Sequence, residues 1–212
     1  MGTLADAETR IREAAIHLVQ EPGGGVRVED YIATLAAATG EAALAAAGFD
    51  VEHHDLAPGS VLDYDAVRGR LTGDPVTSPA PAGTVWSLLE PLSGRAVPAS
   101  AFPDAQGLYD QTERNLGQAG PWGLGTTVGD DHAPARSPLH QAFLLRASVL
   151  ETERLFVAAV SDRHLVTASA LTSAIDQTRS AIDPAISLRL ALEVLFGVAR
   201  LAPMTSDRTA RA

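Results

Sequence analysis

The chain contains no cysteine. That absence removes disulfides, thiolate nucleophiles, cysteine-ligated zinc and iron–sulfur clusters in one step, and it fits a reducing cytosol. Lysine is absent as well, so all 16 basic residues are arginine. Without lysine there is no Schiff-base chemistry and no P-loop ammonium to reach a phosphate. Asparagine occurs once, at Asn115, while alanine, arginine and aspartate are used heavily. This bias points to a GC-rich bacterial genome. Positive charge is outnumbered: 26 acids leave a net charge of −10. Such a surface repels phosphate backbones, which argues against general nucleic-acid binding. No apolar run approaches the roughly 20 residues of a membrane span. The N-terminal "MGTLADAETRIREAA" lacks the basic-then-apolar order of a secretory signal, and Gly2 lacks the serine or threonine of a myristoylation site. The expectation is a soluble cytoplasmic protein with no membrane partner.

What is present is a strong helical pattern at both ends. The 212 residues suit a single domain, and a chain of this size buries roughly 70% of the surface its unfolded form exposes, so it needs no staple. Residues 4–48 are alanine-rich. Ile11, Ala14, Ala15, Leu18 and Val19 recur at three- and four-residue steps, predicting a helix from about Ala5 to Gln20. Pro22 and Gly23-Gly24-Gly25 end it. A second helix starts near Val28, with Glu29 and Asp30 in its first turn, and Gly40 is expected to interrupt it before "EAALAAAG".

Residues 49–137 hold most of the prolines and many glycines. A short helix is expected in 60–73, where Ser60 is an N-cap candidate. "DPVTSPAPAG" is a loop, since proline removes donors from ladders and helices. "TVWSLLEPL" is ambiguous between strand and helix, and helix resumes around Pro103 to Gly117. Residues 138–202 predict three helices. Ser137-Pro138 and Asp183-Pro184 are start signals. The first helix runs to about Val160, the second follows a Ser161 or Asp162 cap to about Ile182, and the third ends near Ala202. A short tail covers 203–212. The last helix is apolar from Ile186 to Leu201 except at Ser187, Arg189, Glu193 and Arg200, and Arg189 and Glu193 stand one turn apart, able to pair. A helix greasy on most sides must be covered on most sides, either as the centre of a bundle or in part by a second subunit. The fold class is therefore mainly α: a helical bundle with a long, partly irregular Pro/Gly-rich middle section and room for a small β-element near 84–98.

The stretch "GPWGLGTTVGDDHAPARSPLHQ" (120–141) concentrates the residues that resemble chemistry. As a nucleotide loop it fails: the third glycine of G-x-G-x-x-G is one position late, and no strand precedes it. No nucleotide cofactor is expected. Asp130, Asp131, His132 and His140 carry ligand atoms suited to a divalent metal, though the spacing fits no H-E-x-x-H pattern. His53 and His54, beside Asp55, form a second polar cluster that folding could join to the first. The plain alternative for both is a solvated loop. His17 and His164 are expected to be surface or internally satisfied histidines. Trp122 is expected to pin its loop to the core, with a place in a ligand pocket as the alternative. No G-x-S-x-G elbow is present.

The N-terminal "IREAAIHLVQEPGGGVRVEDYIATLAAATG" resembles the opening helices of TetR-type repressors, which implies an all-helical, ligand-responsive regulator. The sequence departs at the segment that would enter the major groove, "GEAALAAAGFDVEHHD": it has no arginine and several acids, whereas groove readout needs donors and cations. The leading expectation is a protein acting by self-association or by binding a partner or ligand through its apolar helical core. A metal-dependent enzyme or metal-binding protein built on His53, His54, Asp130, Asp131, His132 and His140 is the first alternative, and the ligand-responsive regulator the second.

Overall fold

The computed structural model describes residues 3–118, 121–156 and 162–206. Expectations placed on Gly2, Gly120, the helix end at Val160, the Ser161 cap and the last residues of the tail lie outside that range. Among the described residues the chain is mainly α, with eight helices and no strand. They are α1 (Leu4–Val19), α2 (Val28–Ala46), α3 (Ala66–Leu71), α4 (Val85–Leu89), α5 (Ala105–Asn115), α6 (Pro138–Phe156), α7 (Arg163–Gln177) and α8 (Pro184–Val198).

Local chemistry accounts for most boundaries. Thr3 caps α1 in a reciprocal box with Asp6, so two otherwise orphaned amides are satisfied at once. Asp183 accepts from the Ala185 amide and Pro184 sits in the first turn of α8, the arrangement its sequence predicts. The ambiguous "TVWSLLEPL" is helical: the Thr84 hydroxyl caps the Ser87 amide and starts α4, and a 3-10 turn, Glu90–Leu92, follows. Within 84–98 the extended pairing is a single bridge between Ser93 and Val97. A second, antiparallel bridge joins Val61 to Leu201, with the Leu62 amide donating to the Arg200 carbonyl at 2.8 Å.

α8 is the centre of the bundle. Every residue from Leu190 to Val198 is buried, enclosed by α2, α5, α6 and α7 of the same chain. Each fully buried leucine or phenylalanine contributes about 1.5–3 kcal/mol, so this helix is a large part of the driving force. α2 is the second central helix. It runs unbroken through Gly40, is buried from Asp30 to Leu44, and packs on α1, α6, α7 and α8. Gly40 does not interrupt it because the absent side chain is what the packing needs: a Cβ there would lie 2.6 Å from the Leu195 carbonyl oxygen. The segment likened to a DNA-reading helix is thus split: its first residues, Gly40 to Ala46, end α2 with Glu41 through Leu44 buried, and the rest is irregular.

Two buried arginines are paired with carboxylates. Arg146 of α6 forms a two-point bond with Glu41 of α2, Nε to Oε1 at 2.5 Å and Nη2 to Oε2 at 2.8 Å. Arg200, just past α8, reaches Asp65 at 3.0 Å and also Glu113. One hydrophobic cluster draws on side chains from Ala7 to Ala202. No described helix is long and apolar enough to cross a membrane.

Candidate functional site

The described part of the 120–141 stretch is a strap tied down at several points. Trp122 adopts a left-handed backbone, φ 64°, and its indole Nε1–H donates to the Pro134 carbonyl at 3.1 Å. The ring remains 46% exposed, so the anchoring runs through the hydrogen bond more than through burial. Leu124, by contrast, is buried against Gly197 of α8. The Thr127 amide donates to Glu193 Oε2 at 2.7 Å, and its hydroxyl bonds the same carboxylate. Arg189 completes the group, its Nε 3.0 Å from Glu193 Oε1. The one-turn pairing of Arg189 with Glu193 is therefore present, and it also fastens the strap to the central helix.

The same strap meets the start of α2. His132 Nδ1 lies 3.1 Å from Glu29 Oε1. The Arg27 Nη2 donates to the Ala133 carbonyl at 2.9 Å, and the Arg136 amide to Asp30 Oδ1 at 3.0 Å. Partial burial works to raise the pKa of Glu29. Hydrogen bonds from its own amide and from His132, with the nearby Arg27 charge, outweigh it and hold the carboxyl below its ordinary value.

The metal candidates fall in different surroundings. Asp130, Asp131 and His132 form a 3-10 turn in which both aspartates are exposed and His132 is engaged by Glu29. His140, in the first turn of α6, is exposed. His53 is exposed and 3.5 Å from Asp50, whose carboxyl is held low by the amides of His53 and Glu52. His54 lies against the Phe49 ring, centroids 5.3 Å apart. Among the described residues no three histidine, aspartate or glutamate side chains gather as a metal ion requires. His17 is exposed, and His164 is buried with Nε2 3.0 Å from the Gly83 carbonyl oxygen.

A wide cleft lies elsewhere, in the middle section. With a volume of about 630 Å³, it opens between α3, the proline-rich segment 74–78, α4 with its following turn, and the start of α5. Its aromatic wall is Trp86 and Phe102, rings tilted at 50° with centroids 5.3 Å apart. Glu90 braces the opposite loop: Oε1 accepts from the Ser78 hydroxyl at 3.1 Å and Oε2 from the Ala80 amide at 2.9 Å. Arg68 lines one end, its guanidinium 5.6 Å from the Tyr109 ring centroid and its Nη2 bonded to Gln106 Oε1. Asp104, also at the wall, caps α5 through the Gly107 amide at 2.9 Å. Sequence reasoning passed over these residues because they come from four separate segments and none stands in a motif. The concentration of Trp86, Phe102 and Tyr109 in an aromatic-poor chain was the one signal available. Comparison with protein-family models, with curated proteins and with solved structures finds no match to this chain.

Proposed function

We propose that this chain is a ligand-binding protein whose ligand, a small amphipathic molecule, occupies the cleft beside Trp86. The observation that carries this reading is the cleft's make-up: about 630 Å³, an aromatic wall, and polar groups from Arg68, Ser78 and Gln106 at its margins. Small-molecule sites are concavities of roughly 300–1,000 Å³ that combine apolar walls with a few placed polar groups. α8 is already enclosed by its own chain, so the contact surface falls to the middle section that packs around it. An assembly of copies would need another face, such as the outer side of α6, where Leu144 and Leu155 are exposed.

The test is a heteronuclear NMR titration of the full chain with 3-phenylpropanol, a neutral aromatic probe. Shift changes centred on Trp86, Phe102 and Gln106 are expected. No change, or changes scattered over the surface, would overturn the reading.

A further inference from the structure

We infer that the ligand of this cleft is an aromatic or apolar-tailed monoanion, its carboxylate or similar acid group paired with Arg68 and its tail against Trp86 and Phe102. This rests on the cleft reading above and goes beyond it to the ligand's charge.

Several other arginines of the molecule have carboxylate partners. Arg146 is paired with Glu41, Arg189 with Glu193, and Arg200 with Asp65 and Glu113. Arg146 and Arg200, the two arginines buried among the described residues, each have a carboxylate partner. Arg68 is partly buried, yet its side-chain partners are the neutral amide of Gln106 and the face of Tyr109. Its Nε is shielded from solvent without a hydrogen-bond partner. Among the described residues no carboxylate lies within ion-pair distance of it. A partly buried guanidinium with no carboxylate at ion-pair distance favours an incoming anion, and its planar fork matches a carboxylate.

Three acids also line the cleft, and their positions decide the sign. Glu90 has both oxygens engaged by Ser78 and Ala80, and Asp104 is occupied at the α5 cap. Asp74 is exposed on the loop, where water screens it. The net charge of −10 acts mainly at distances that salt screens beyond about 8 Å. A carboxylate at ion-pair distance from Arg68 would meet that charge more closely than the screened general field. Trp86 is buried on the cleft wall, giving the tail a rigid apolar surface.

The experiment compares three probes of one shape on the full chain: 3-phenylpropionate, 3-phenylpropanol and 3-phenylpropylamine, followed by calorimetry and by NMR shifts at Trp86. The anion should bind about tenfold more tightly than the alcohol, a difference of about 1.4 kcal/mol, and the advantage should shrink with added salt. Arg68→Gln should remove that advantage, bringing the affinities for anion and alcohol together. Gln106→Glu provides a second variant, because it supplies within the chain the carboxylate that Arg68 lacks and should abolish anion preference with Arg68 intact. Equal binding of all three probes, or preference for the amine, overturns the charge assignment and leaves the cleft reading standing. Failure of all three to bind overturns the cleft reading and this inference with it.

Discussion

A methyl group added at Gly40 would sit 2.6 Å from the Leu195 carbonyl oxygen and 3.2 Å from the Ala199 nitrogen. Both are backbone atoms of α8 and its C-terminal end, so neither can rotate aside. Alanine is favoured over glycine in a helix interior by about 1 kcal/mol, but forced separation of packed elements costs about 1–3 kcal/mol. Gly40→Ala should therefore lower stability, seen as a reduced urea midpoint with unchanged slope, and a midpoint equal to wild type or higher would refute the close approach. Tyr31 offers a second test at this scale. Burial pushes its phenol up to about 12, against an opposing pull from Arg12. The folded state thus prefers the neutral phenol: its contribution is full below pH 10, the ordinary value, and is lost as pH rises from 10 to 12. Tyr31→Phe should flatten that alkaline decline in urea midpoints. Tyr109 is raised in the same direction by burial and leaves a residual slope.

At the scale of elements, the proline-rich loop owes its position to one side chain of the turn after α4. Bonds to an ionised group are worth about 1.5–3 kcal/mol, and Glu90 makes two, to Ser78 and Ala80. Glu90→Ala should release the loop while sparing the core, so thermolysin cutting before Val76 should accelerate about tenfold or more with little change in melting temperature. Equal cutting rates would mean that the prolines alone hold the loop. The helical elements were legible beforehand because start signals and periodicity are local: Asp183-Pro184 and Ser137-Pro138 act over one turn. α4 was ambiguous because five residues carry too little periodicity to separate helix from strand, and the Thr84 cap resolved it. Gly40 was misjudged for a different reason. Glycine's effect on helix propensity is intrinsic, whereas its role here depends on α8, which lies far along the chain.

For the whole molecule, the decisive fact is that one chain closes around its own most apolar helix. Leu192→Ala should cost about 2–5 kcal/mol of folding stability and leave the sedimentation behaviour of the folded protein unchanged. If wild-type sedimentation rises with concentration and Leu192→Ala abolishes that rise, α8 belongs to an interface and the enclosed arrangement is wrong. The strap 121–137 has its own part in the closure. It links α8 through Thr127 and Glu193 to the start of α2 through His132 and Glu29.

The amino-acid order was enough to establish an α-rich fold, the need to cover residues 186–201, and the absence of thiol and lysine chemistry. Those follow from composition and from spacings of three or four residues, which act locally. Whether α8 was covered by its own chain or another, and where a cavity would form, depended on long-range packing. Arg68, Ser78, Trp86, Phe102 and Gln106 line one cleft only because α3 packs on α2, α4 on α7 and α5 on α8. No short-range pattern carries that information, since each residue taken alone is an ordinary loop or helix side chain and the cleft exists only in their arrangement.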